Sequence, residues 1–343
     1  MKTFSPNPVL SPNQRGFSMM ELMVAITLGF IMVAAIGYLY LGSRQSFRTT
    51  DSMSRIQENA RYALHTLSQN VRMAGYIGCG NLQAMKITTI ANAPTPVLSP
   101  ATAITGLDTG VGATSYGVIP ITRVAGDAIS TMEAVGTGAN ITGNVAPSNA
   151  NVQILGNPSN FQQGQALVVT NCTNADIFKV TNNPGSSGTV TLTHSNSSNT
   201  GSRVGTYDYT ATVMKMEQYT YFIGTNLSGG RSLYRDSLTE GTVELADNVW
   251  DMQIQYGLDT NGDGTADSYS TATAITSWDQ VVSARINLLV VSQERVLSAA
   301  QTYRFFADTA TAPTSFTPAA SASDRLLLHQ VFTTTVGIRN RLL

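Results

Sequence analysis

Asp259-Thr260-Asn261-Gly262-Asp263-Gly264-Thr265-Ala266-Asp267 places oxygen-bearing side chains at alternate positions, with glycines that allow a sharp turn. That is the layout of a calcium loop. Asp259, Asn261 and Asp263 would offer side-chain oxygens, Thr265 its backbone carbonyl, and Asp267 a side chain or a water contact. The twelfth position is Ser270, so the bidentate glutamate of such loops is missing. The affinity expected is therefore modest, roughly 10⁻⁴ to 10⁻³ M. The same residues also suit an Asn-Gly or Asp-Gly hairpin turn that holds no ion. Both readings stand on sequence. Other chemistry is thin: His65, His194 and His329 lie far apart without metal-ligand spacing. There is no Gly-x-Ser-x-Gly elbow, phosphate-cradling glycine loop or paired-histidine motif. The sequence predicts no enzyme, no catalytic residues and no required cofactor, calcium being the one ion it has a place for.

Glu21 stands out by its surroundings. It is the only charge in an apolar run from Phe17 to Leu41, which follows Arg15-Gly16. As a helix the run reaches roughly 37 Å, enough for a bilayer core of about 30 Å. A carboxylate there is costly unless a partner meets it. An ordinary signal peptide has a shorter apolar core with its cut site after it. A plain single-pass anchor has no use for Glu21. Gly16-Phe17-Ser18-Met19-Met20-Glu21, followed by this run, resembles the processing signature of type IV prepilins and secretion pseudopilins. The resemblance implies that a prepilin peptidase cuts between Gly16 and Phe17 and that Phe17 becomes the N-methylated first residue. It also implies that Glu21 docks against the N-terminal amine of a neighbouring subunit.

The second half narrows the resemblance. Tyr219-Thr220-Tyr221, Leu233-Tyr234-Arg235, the stretches Val249 to Gly257 and Ala284 to Val290, and the ending Val331 to Arg341 resemble PilW-type minor pilins. So does Arg72-Met73-Ala74-Gly75-Tyr76 before Cys79. The likeness covers residues 16–80 and about 215–343, and it is thin over 81–165. Pseudopilin J of type II secretion is similar in shape but has a shorter middle. The resemblance implies a minor pilin needed for type IV pilus assembly, in an initiating complex at the tip. Its partners would be other minor pilins, the major pilin and the inner-membrane assembly platform. It would sit in the inner membrane with its N-terminus cytoplasmic, then move to the pilus tip and cell surface. A tip adhesin and a type II secretion pseudopilin are the alternatives. In a periplasmic setting the two cysteines, Cys79 and Cys172, favour a disulfide over two buried thiols, and zinc lacks supporting histidines.

The elements that must position these groups follow from composition and period. The chain has 343 residues and a net charge of −1, with no basic excess to suggest a specific nucleic-acid partner. Charged residues are 12%, about half the usual share, and Ser, Thr, Asn and Gly fill the gap as polar loops. Residues 1–16, with Pro6, Pro8 and Pro12, read as a leader that cannot be helical. Residues 17–41 form the membrane-spanning half of a helix and 42–76 its amphipathic half. There Met53, Ile56, Ala60, Ala63, Leu64, Leu67, Val71 and Ala74 make one stripe, with Gly75 and Gly78 as the stop. Gly29, Gly37 and Gly42 inside it suit either close helix packing or local unwinding. Residues 77–210 read as a loop-rich β lobe and 211–343 as a β-sheet domain with strands near 214–223, 249–256, 281–291, 302–306 and 331–338. Arg339 and Arg341 read as a solvated edge or a contact for an acidic partner. The whole is an α+β, pilin-like plan: a long N-terminal helix packed on a mostly antiparallel sheet, with a loop-rich β insertion.

Overall fold

The computed structural model describes residues 16–92, 97–108, 122–143, 145, 149–201, 204–306 and 312–341. Residues 1–15 of the expected leader lie outside that set. One helix, α1, runs Met19–Met73. The chain divides into two compact units, Met1–Asp51 and Ser52–Leu343.

In the first unit every described residue from Gly16 to Arg48 is exposed. The helix passes through Gly29, Gly37 and Gly42 unbroken, each with open space around it. A helix this long and apolar, with none of its apolar window buried, needs lipid or other helices as its solvent.

In the second unit the helical stripe does what its period predicts. Ile56, Ala60, Ala63, Leu67, Val71 and Ala74 are buried, and Met53 and Leu64 pack partly against them. Each buried Ile or Leu contributes about 1.5–3 kcal/mol. The helix stops where expected: Gly75 sits at φ +79°, and a Cβ there would come within 2.6 Å of Leu82 Cδ2.

The strands are β1 (Lys86–Thr89), β2 (Ile104–Leu107), β3 (Arg123–Asn140), β4 (Asn151–Leu155), β5 (Ala166–Thr170), β6 (Asn174–Lys179), β7 (Thr189–Thr193) and β8 (Thr212–Thr225). They continue as β9 (Arg231–Ser237), β10 (Gly241–Asp247), β11 (Val249–Leu258), β12 (Ser268–Ser270), β13 (Val281–Arg295), β14 (Tyr303–Phe306), β15 (Pro313–Phe316) and β16 (Leu327–Gly337). An eight-stranded sheet has the order β1-β6-β5-β8-β3-β2, with β9 on β8 and β10 on β9. All its pairs are antiparallel except β1 with β6. A four-stranded antiparallel sheet has the order β12-β11-β13-β16. The strand expected at 302–306 forms, but it pairs with β15 in a separate hairpin. The α+β plan holds. The α1 stripe shares one core with Tyr221 and Ile223 of β8, Met252, Ile254 and Tyr256 of β11, and Ala284, Ile286, Leu288 and Val290 of β13. Phe161, Leu167, Phe178 and Tyr207 centre a second core within the middle lobe.

Cys79, past the helix, is bonded to Cys172, after β5, across a sequence separation of 93. In the loop-entropy account such a closure contributes about 4–5 kcal/mol. Reducing the full-length protein, or replacing both cysteines with serine, is expected to lower its urea midpoint by a corresponding amount. A midpoint that does not move would place the constraint elsewhere.

Candidate functional site

Gly16, Phe17 and Glu21 lie together at the exposed start of α1. Ser18 N–H donates to Glu21 Oε2 at 2.9 Å, and Glu21 N–H donates to Ser18 Oγ at 3.3 Å. This reciprocal pair is a capping box, which satisfies two helix-end donors that would otherwise be bare. The sequence carried the signal, a serine three residues before a glutamate at the head of an apolar run. Glu21 thus already has a local role in the single chain.

The Asp259–Asp267 segment joins β11 to β12 and is closed by its own donors. Asp259 accepts the N–H groups of Gly262, Asp263 and Gly264 at 2.6, 3.3 and 2.8 Å. Asp263 accepts the N–H of Thr265 at 2.8 Å and its hydroxyl at 2.5 Å. Asp267 accepts the N–H and hydroxyl of Thr260 at 2.8 and 2.7 Å. Asn261 donates to Asp263 and Asp267. The Thr265 hydroxyl holds the Asp263 carboxyl below its usual range, and the Thr260 hydroxyl does the same for Asp267. Among the described residues no group of three or more His, Cys, Asp or Glu side chains is arranged to hold a metal.

Two further groups escaped the sequence reading because their partners are distant in the chain. Arg341 is not a solvated edge. It is buried and donates to the carbonyls of Trp278, Val281 and Pro100, while Asn340 donates to those of Met73 and Ala74 at the end of α1. Arg339 alone of the arginine pair is exposed.

The other group is acidic. Glu133 of β3 and Glu217 of β8 are directly opposed across the sheet, and both are buried. Asn70 of α1 donates to Glu133 at 2.6 Å and accepts the Tyr221 hydroxyl. Glu217 accepts the Thr239 N–H at 3.2 Å. Arg235 stacks over Tyr219 at 5.1 Å and pairs with Glu240. Burial raises the Glu133 carboxyl to about 7, against the Asn70 hydrogen bond and with help from Glu217. Burial also raises Glu217. His194 is the converse. It is buried with neither ring nitrogen partnered among the described residues, and burial lowers it to about 4.

Comparison with known proteins agrees with this architecture. Residues 11–37 match the model of the prokaryotic N-terminal methylation motif, and residues 220–340 match that of type IV pilus-assembly protein W. No curated protein and no solved structure matches the chain. A methylation motif heading a long apolar helix, with an α+β body behind it, defines a type IV pilin. More particularly, the stretch from within β8 to just past β16 is similar to PilW-type minor pilins. Subunits of this class build structure rather than catalyse reactions.

Protonating Glu133 in the folded state favours folding. Its contribution is complete below about pH 4.5 and is lost as pH rises through about 7. Glu133→Gln should therefore stabilise the protein at pH 8 by about 2–3 kcal/mol, with the gain shrinking towards pH 5. His194 acts oppositely, costing stability as pH falls below 6.5 towards 4. Thermal unfolding of both proteins from pH 5 to 8 checks this, and a gain that does not change with pH would contradict it.

Proposed function

We propose that this minor pilin acts at the start of pilus assembly, in an initiating complex with other minor pilins that ends at the filament tip. A prepilin peptidase would first cut between Gly16 and Phe17, with the N-terminus on the cytoplasmic side and Phe17 then methylated. The observation that carries the reading is the methylation motif opening an exposed apolar run, Phe17 to Leu41, whose single charge is Glu21. Neighbouring minor pilins, the major pilin and the assembly platform would cover that helix. Glu21 would exchange its local bond with Ser18 for the N-terminal amine of a neighbour.

A second reading has one observation in its favour. The middle lobe holds a polar cleft of about 270 Å³ lined by Lys86, Thr88, Asn174, Asp176 and residues 205–207. Such a cleft suits a ligand-reading tip adhesin. Removing the whole lobe would strip β3 and β5 from β8, so point substitutions such as Asp176→Asn are the usable test. They should spare piliation and abolish attachment if the adhesin reading is right. A secretion pseudopilin would instead show in lost secreted enzymes.

The deciding experiment is surface piliation in a deletion strain that also lacks the retraction motor. Absent pili are expected, and normal numbers would overturn the priming role. Complementation with Glu21→Gln and Glu21→Ala separates the two roles of Glu21. Glutamine preserves the capping box but not the charge. Both variants should be cut and stay out of pili if charge docks the subunit. Failure of alanine alone would assign the capping box instead.

The Asp259–Asp267 loop carries a smaller proposal, calcium taken with modest affinity by Asp259, Asn261, Asp263, Thr265 and Asp267. The ion would have to displace the loop's own donors. Calcium at several millimolar should raise the unfolding temperature of the native protein and not of Asp263→Asn. An unchanged temperature leaves the segment a hairpin turn.

A further inference from the structure

Among the described residues, the four-stranded sheet has one shut edge and one open edge. At the β11 edge, Ile254 N–H is taken by Asp127 Oδ2 at 2.7 Å. A Cβ on Gly126 would meet the Met252 backbone at 2.6 Å, so β3 lies hard against that strand. The rest of that edge is paired by β12. The other edge is β16. Ile338 N–H donates to Val282 O at 2.9 Å, in register with the β13–β16 ladder. Antiparallel pairs alternate, so even-numbered residues of β16 bond to β13 and odd-numbered ones turn their N–H and C=O outward. The outward N–H of His329 is met by Gln301 at 3.0 Å. The outward main-chain groups of Val331, Thr333 and Thr335 have no partner among the described residues.

The side chains are patterned to continue past that edge. On one face Gln253, Asn287 and Thr333 form a cross-strand row, and Gln255, Arg285 and Thr335 form the next. Asn287 binds Gln253 O at 3.1 Å and the Thr333 hydroxyl at 2.8 Å. Both rows end on exposed threonines. On the helix-facing side, Met252 and Leu288 lead to Phe332, which packs against the core yet is only partly buried. Native sheet edges are usually guarded by charge, proline, bulges or shortness. From Gln330 to Ile338 this strand has no charge and no proline, and no register shift falls there.

We propose that the β16 edge receives an extended strand from a different pilus subunit. Val331, Thr333 and Thr335 supply the main-chain hydrogen bonds. The incoming strand places an apolar side chain beside Phe332 and small uncharged ones beside Thr333 and Thr335. This rests on the pilus-assembly reading above. Antiparallel pairing with a second copy would close as a two-fold dimer and leave nothing to grow from, whereas contacts between unlike surfaces propagate. Strand addition to a bare edge takes its affinity from the main chain and its specificity from the alternating side chains.

The test mixes the full-length protein in detergent with the purified major pilin, and separately with each other minor pilin of the same organism, and follows amide hydrogen exchange by residue. With one of these partners the amides of Val331, Thr333 and Thr335 should slow markedly, while the even-numbered amides, already bonded to β13, change little. Thr335→Pro removes an outward N–H without touching the β13 ladder, and Thr335→Lys adds a guarding charge. Each should weaken the complex about tenfold, and Thr335→Ser should bind as the native protein does. If the proline variant fails to fold, the lysine variant decides, since Thr335 is exposed. A complex that leaves the three amides fast overturns the proposal. So does slowing produced only by more of the same protein, or by none of the pilins. Piliation of the deletion strain judges the assembly role separately, so either idea can fail alone.

Discussion

The second unit depends on one seam, the stripe of α1 from Ile56 to Ala74 against the strands of both sheets. Ala60, Ala63 and Ala74 are small, and Leu67 and Ile56 are among the largest side chains buried completely or nearly so. The seam is pinned as well as packed. Asn70 binds Glu133 and Tyr221 at once, and Asn340 covers two carbonyls at the helix end. Arg341 then ties the last residues of the chain to the loops at Pro100 and Trp278. Loosening residues 340–341 therefore exposes the carbonyls at the end of α1.

Two opposed buried carboxylates at such a seam work against stability, since each ionised form loses its hydration and repels the other. Asn70 offers a donor to Glu133 and Thr239 one to Glu217, but these offset only part of the burial cost. The seam is consequently tightest when Glu133 carries a proton. The hydrophobic stripe is what tolerates this arrangement, because it supplies far more than one carboxylate withdraws.

Much of this was legible in the sequence because it is periodic or local. The 3.6-residue stripe, the glycines at 75 and 78, the alternation from Trp250 to Tyr256 and the strand at 281–291 all report on residues near them in the chain. The cysteine pair was legible by count and setting. What escaped depends on pairing between distant segments. Nothing near Glu133 announces Glu217, and nothing near Arg341 announces Pro100. In the middle lobe the local alternation at 166–170 and 189–193 reads as strand, and β5 and β7 form there, whereas the pairing of β5 with β8 and of β6 with β1 was hidden because those partners lie far away in sequence. The Ser18–Glu21 box is the exception, being local and readable, but masked by the more conspicuous apolar run that follows it.

The two surfaces that the single chain leaves incomplete differ in kind. The exposed run of α1 can be covered by lipid or by any apolar helix, through contacts that are strong in sum but indifferent to register. Within it only Glu21 marks a particular height along the axis. A bare strand edge is the reverse, because its donors and acceptors accept a partner only in steps of two residues, and a one-residue slip turns every side chain to the wrong face. A subunit that enters an ordered filament needs both properties. Apolar burial supplies the drive, and a few directional contacts choose which neighbour is taken and at what height.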